Sequence, residues 1–205
     1  MSEAAVSAVV GQAKTSAGRA AGERASGSTR HTTTTGSTRH TTVSTNQIAD
    51  VILVAQGDAL VGIYFPEHWT KPDWGTFGPA VDESVDPVLA AAARQLREYL
   101  GGERTQFDLP IRLQGSPFQQ QVWAMLQEVP FGETTTYGEL AERLGDKNLA
   151  RMVGQAVGRN PLSIVVGCHR VVGTNGKLTG YAGGLERKEF LLTLESPSNV
   201  PARLF

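Results

Sequence analysis

One cysteine in 205 residues, Cys168, stands directly before His169 and Arg170. The thiolate is the nucleophilic form of a thiol, and neighbouring cationic groups lower the pKa from about 8.5 and enrich that form. A lone cysteine after the apolar run Ser163 to Gly167 equally fits an inert core side chain. Two flanking features favour chemistry. The glycine-rich stretch Gly173 to Gly184 has the make-up of a flexible wall for a flat ligand, and Asn160-Pro161 makes a rigid turn ahead of the cysteine. His31, His40, His68 and His169 lie at no metal-ligand spacing, and one cysteine excludes an internal disulfide or a Cys-rich zinc site. Neither a metal nor a cofactor is expected.

The elements around the cysteine must place it. Residues 163–167 predict a short buried strand that delivers the thiol. Before it, Asn148 is expected to cap a helix from Leu149 to about Gly158. Ala150, Gly154 and Gly158 fall four apart on one face of that helix. Each helical glycine costs about 1 kcal/mol relative to alanine, so a close approach should compensate. Its partner is either a neighbouring helix or a DNA minor groove, roughly 6 Å wide. Arg151 borders this face and is long enough to enter a base stack, with Lys147 and Arg159 where phosphates would run. Thr136 to Glu139 is a capping box for a preceding helix through Leu140 and Leu144, stopping at Gly145. The spacing is that of a helix-turn-helix, and also of any αα-hairpin. Side chains cannot react with a base inside a duplex, so such chemistry needs the base flipped out.

Further upstream, Ser116 to Gln119 is another capping box, with Pro117 at the first helical position and Val122, Met125, Leu126 and Val129 following. Val51–Ala55 and Ala59–Phe65 predict a β-hairpin turning at Gly57-Asp58. Asp86 and Pro87 open a helix with the stripe Leu89, Ala93, Leu96 and Leu100, ending at Gly101-Gly102. Phe107 to Leu113 alternates as an extended segment. Nothing between residues 43 and 113 suggests chemistry; its expected role is packing. Residues 1–42 carry no aromatic side chain and no sustained periodicity, and predict a disordered Ser/Thr/Gly-rich extension. Within them Gly27–Thr33 recurs as Gly36–Thr42. The expected organisation is thus 1–42 extension, 43–113 mixed α/β domain, 114–196 functional domain and 197–205 tail.

Composition bounds the function classes. At 40% hydrophobic residues the chain is neither wholly disordered nor a membrane protein, and no apolar stretch nears the roughly 20 residues of a bilayer span. Without a secretory signal pattern, a cytoplasmic location is expected. The net charge of −1 hides an uneven distribution. Residues 46–130 hold five Lys/Arg against eleven Asp/Glu, whereas 143–188 hold eight against two. A local balance of +6 attracts polyanions, though it also fits a solvated helix face.

The sequence from Arg159 through Asn160-Pro161 and Cys168-His-Arg-Val171 to Gly176-Lys-Leu-Thr-Gly-Tyr-Ala-Gly-Gly184 and Glu195 resembles the O6-alkylguanine-DNA alkyltransferases, or methylated-DNA–protein-cysteine methyltransferases. The likeness is strong over Gln114–Glu195, weak over the preceding unit and absent from 1–42. It implies an α+β fold: a small RNase H-like hairpin-and-helix unit, then a helical domain with a helix-turn-helix and the active-site cysteine strand. It implies a monomer that flips O6-alkylguanine, with O4-alkylthymine a further substrate, out of double-stranded DNA and takes the alkyl group irreversibly onto Cys168. By the same resemblance His169, oriented by Glu195, draws off the thiol proton through a water. Tyr137 would press on the 3′ phosphate and protonate guanine, Arg151 would fill the vacated stack, and Asn160 would hold the turn. Tyr181 and the backbones of Val171 and Ala182 would read the guanine edges. Gly167 and Ser163 stand where that family usually has proline. The competing readings are a non-catalytic lesion sensor or helix-turn-helix regulator, and a Cys-His hydrolase. The last is weak because adjacent residues on a strand face opposite ways.

Overall fold

Asp86 begins the longest helix because its carboxylate accepts the N–H groups of Val88 and Leu89, and Pro87 supplies a preset φ at the first turn. The computed structural model describes residues 36–196, and this helix, α1, spans Pro87–Leu100. It lays Leu89, Ala93, Leu96 and Leu100 on an antiparallel sheet of order β1-β2-β3, with β1 Thr38–Val43, β2 Val51–Gln56 and β3 Ala59–Tyr64. The β2–β3 hairpin turns at Gly57, whose φ of 60° suits glycine, and slips register between Val54 and Ala55.

β1 corrects the expected boundary at residue 42, which falls inside a strand. Its sequence is polar because it is an edge strand with one covered face: Thr41 and Val43 are buried, Thr42 is exposed. Arg39 also pairs with Asp86 and donates to the Gly57 carbonyl at 2.6 Å, tying the strand to α1 and the hairpin. The second copy of the repeated heptad is thus structural. The first copy and the expected tail at 197–205 lie outside the described residues.

The expected segment Phe107–Leu113 is extended but barely paired. Ile111 bridges Leu60, with Leu60 N–H donating to Pro110 and Arg112 N–H donating back to Leu60. The second half contains α2 Pro117–Gln127, β4 Thr135–Thr136, α3 Tyr137–Arg143, α4 Ala150–Gly158, β5 Val171–Val172 and α5 Leu185–Glu195. Both capping boxes form, on Ser116 with Gln119 and on Thr136 with Glu139. Asn148 does not cap α4: Asp146 caps a 3-10 turn over Lys147–Leu149, and α4 follows from Leu149 with no side-chain cap.

A single hydrophobic cluster joins the two halves, running from Val51, Leu60 and Leu96 through Trp123 and Leu126 to Val153, Leu162 and Cys168. The Trp123 indole donates to the Ala156 carbonyl at 2.8 Å and pins α2 to α4. Among the described residues no helix is long and apolar enough to cross a membrane.

Candidate active site

The run Ser163–Gly167 is not a strand. Leu162 bridges Ile63, and the chain then folds into two tight turns. One centres on Ile164, at a φ of 74° that a β-branched residue rarely adopts, with Val165 N–H donating to Ser163. The other centres on Gly167, at φ −64° and ψ 50°, with Cys168 N–H donating to Val166 at 2.6 Å, an inverse γ-turn. The apolar run is buried because these turns press into the core, so period and hydrophobicity mislead here. Asn160 braces them from within: it is 1% exposed, donates to Val166 and Leu162, and accepts from Leu162 N–H.

These turns lead into a 3-10 turn, Cys168–Arg170, and then β5, which pairs in parallel with β4 as Thr135 with Val171. That short pairing is what sets Tyr137, at the start of α3, near the thiol. The adjacent Cys168 and His169 therefore lie on helical rather than strand backbone, so the strand geometry held against a hydrolase is not the one present.

His169 is fully buried, and its Nε2 lies 2.8 Å from Glu195 Oε1. Glu195 ends α5 and accepts from five donors. Oε1 also takes the Tyr99 hydroxyl at 2.6 Å and Arg170 Nη2 at 2.8 Å, while Oε2 takes Arg170 Nε at 2.8 Å and Gly132 N–H at 3.2 Å. Burial alone would raise this carboxyl, but hydrogen bonds from His169 and Arg170 outweigh it and hold the pKa well below the usual carboxylate range. Burial lowers the His169 pKa against the pull of Glu195, so the imidazole is neutral at rest; with Nε2–H donated to the Glu195 carboxylate, Nδ1 is the basic atom.

Cys168 corrects a second expectation. Its pKa is raised, because burial outweighs the lowering effects of Asn160 and Lys188. Arg170 does not act on the sulfur as expected; its guanidinium is held by Glu195 and by the Val129 carbonyl at 2.6 Å. A resting thiol beside a neutral imidazole requires the base to act during the reaction.

Six of the other expected residues, Tyr137, Ala150, Arg151, Gly154, Gly158 and Tyr181, line one cavity of about 810 Å³; Val171, Ala182 and Cys168 itself are not among its lining residues. The small face of α4 fronts this cavity. A Cβ on Gly154 would touch only the Tyr137 ring, at an ordinary 3.6 Å, so packing inside the protein does not demand glycine there. Gly158 is tighter, at 3.3 Å from the Trp69 ring. The Val171 carbonyl already accepts Lys188 Nζ at 2.5 Å, and the Ala182 carbonyl accepts Trp69 N–H at 3.1 Å. Each keeps a second lone pair for a ligand.

A model of the DNA-binding domain of 6-O-methylguanine DNA methyltransferase matches residues 117–197. The methylated-DNA–protein-cysteine methyltransferase of Mycobacterium tuberculosis is 50% identical over 137 residues, 67% of this chain and 74% of that protein. The chain belongs to the methylated-DNA–protein-cysteine methyltransferase family. Within this family, the constitutive Bacillus subtilis methyltransferase is 41% identical over 72% of this chain and 90% of its own length. The M. tuberculosis OGT crystallised with DNA superposes with a TM-score of 0.67 at 40% identity, covering 80% of this chain and 96% of that one.

Three residues of this methyltransferase-family site escaped the sequence reading. Trp69, 64% exposed, walls the cavity from the first half of the chain. Tyr99, fully buried near the end of α1, stands outside the stripe of Leu89, Ala93, Leu96 and Leu100 read from the sequence. Lys188 is fully buried, donates to the carbonyls of Val171, Thr179 and Gly180, and is held by burial at a pKa of about 8. Its signal was available: Lys188 and Glu195 share the α5 face of Leu191 and Leu192, where uncompensated charges are rare.

Proposed function

We propose that this chain is a single-turnover DNA-repair protein that moves an alkyl group from O6-alkylguanine in double-stranded DNA onto Cys168. The observation that carries this reading is the neutral His169, adjacent to Cys168 and fixed through Nε2 by a carboxylate that stays ionised. His169 accepts the thiol proton on Nδ1, through a water. The sulfur attacks the alkyl carbon, the S–C bond forms as the C–O6 bond breaks, and the bonding electrons leave on guanine. Tyr137 returns a proton to the ring. Glu195 stabilises the imidazolium formed, as an orienting carboxylate does in other nucleophile–base pairs. Lys188 lies within electrostatic range of the sulfur and favours its developing negative charge.

α3 and α4 serve as the helix-turn-helix, with the small face of α4 in the minor groove and Arg151 in the gap left by the flipped base. The exposed guanidinium of Arg151 and the freedom for a side chain at Gly154 support this assignment. Asn160 keeps the turn between this helix and the thiol, and Tyr181 with the Val171 and Ala182 backbones reads the base. Residues 38–113, with β1 included, form the RNase H-like unit and 114–196 the reactive domain of a cytoplasmic monomer that also accepts O4-alkylthymine. Incubation with O6-benzylguanine followed by intact-mass measurement tests the reading. One benzyl group on Cys168, absent from Cys168→Ser, is expected. No adduct on the parent, or transfer to the serine variant, overturns it.

A further inference from the structure

Among the described residues, the first half of the chain donates to the Glu195 carboxylate from one side chain. Tyr99, near the end of α1, is fully buried, and its ring packs with Phe107 and Phe131 at centroid distances of 5.2 and 6.2 Å. Its hydroxyl lies 2.6 Å from Glu195 Oε1 and 3.5 Å from His169 Nε2. A phenol this close to a carboxylate donates its proton, and an O–H···O⁻ bond of 2.5–2.7 Å is among the stronger kinds. We infer that Tyr99 is a positioning residue for alkyl transfer, setting both the direction in which Glu195 presents Oε1 to His169 and the charge that oxygen carries; this rests on the roles given above to Cys168, His169 and Glu195.

The geometry separates this from packing. Arg170 spans both carboxylate oxygens and fixes the plane of the group. Tyr99 acts on the single oxygen that His169 uses. Its donation draws charge from Oε1, so Glu195 stabilises the imidazolium less than a bare carboxylate would. Neutral His169, the form that accepts the thiol proton, therefore persists to lower pH. Burial also bars water from replacing the phenol without rearrangement. No other group of the first half donates to Glu195 among the described residues.

The measurement is the single-turnover rate of transfer from O6-methylguanine duplex DNA between pH 5 and 8, with DNA affinity and melting temperature recorded alongside. Parent reactivity towards O6-benzylguanine is established first, so that failure of the proposed function is read separately. Tyr99→Phe keeps the ring and removes the donor. The expected result is a several-fold lower plateau, an acid limb moved to higher pH and unchanged DNA affinity. Combined with Glu195→Gln, Tyr99→Phe should add no further loss. Site-specific 3-fluorotyrosine at 99 covers the case in which the phenylalanine variant does not fold. Nearly the same size and a stronger donor, it should move the acid limb the opposite way. A Tyr99→Phe profile that keeps its shape and midpoint, or a fluorotyrosine profile that does not move, overturns the inference. So does a full Tyr99→Phe effect that survives in the Glu195→Gln background.

Discussion

Replacing Gly167 by proline tests whether the turn before the thiol is held or merely permitted. Gly167 sits at φ −64°, the value a pyrrolidine ring imposes, and at the centre of an inverse γ-turn closed by Cys168 N–H and the Val166 carbonyl. Its own N–H makes no backbone hydrogen bond among the described residues, so proline removes no needed donor. Restricting the unfolded chain at a compatible position is worth about 0.4–1 kcal/mol. For a folded unit of this size that is about 1–4 °C in melting temperature. One contact opposes the gain: a Cβ here would lie 2.9 Å from Arg170 Cδ, and that arginine is held at three nitrogens. A shift of a few tenths of an ångström relieves it. The expected outcome of Gly167→Pro is a melting temperature higher by 1–4 °C, with transfer at least as fast as in the parent, read by thermal unfolding and single-turnover kinetics. Gly167→Ala carries the same Cβ without the ring and separates the two effects. A proline variant that melts lower or reacts more slowly refutes the reasoning. If alanine falls with it, the Arg170 contact governs; if alanine does not, the ring itself is rejected.

Arg151→Ala should slow repair of duplex DNA far more than reaction with free O6-benzylguanine, since only the duplex requires flipping; equal losses would remove Arg151 from that role. A chain beginning at Gly36 should keep the melting temperature of the whole. One beginning at Ser44 loses β1, with the fully buried Val43 and the Arg39–Asp86 pair, and should lose about 3 kcal/mol, or about 6–12 °C. His68, packed between Tyr64 and Phe65, is held by burial at a pKa of about 4, below its ordinary 6.5. The folded state thus resists its protonation: its contribution is complete above pH 6.5 and is lost as pH falls towards 4. Urea unfolding should show His68→Phe losing about 2 kcal/mol less than the parent between pH 7 and 4.5; parallel losses would remove His68 as the cause.

The elements legible in the sequence are those fixed by local chemistry. Ser116, Thr136 and Asp86 announce their helices because a capping side chain acts within three residues of itself. Gly57 marks the hairpin for the same reason. Cys168, His169 and Glu195 were named because the resemblance supplied their partnership; no spacing rule links residues 26 apart. Residues 163–167 failed because an apolar, β-branched run has the same composition whether it pairs in a ladder or turns twice inside the core. The thiol pKa failed for a tertiary reason, since only the fold reveals that the sulfur is buried and that Arg170 is turned onto Glu195. Tyr99 was invisible because a tyrosine buried on a helix reads as packing until its hydroxyl has a partner, and that partner lies 96 residues away.

The repeated heptad gives the edge of the sheet two candidate texts. Gly27–Thr33 matches Gly36–Thr42 letter for letter, so in sequence Arg30 corresponds to Arg39, the partner of Asp86, and Thr32 to the buried Thr41. The copies part company at the next residue. In a nine-residue slip Thr34 would take the place of Val43, at a position wholly removed from solvent and opposite Val51. A hydroxyl buried there without a partner costs about 1–3 kcal/mol, roughly a five- to 150-fold preference in population. One methyl-for-hydroxyl difference, at the last residue of β1, favours the second spelling over its echo.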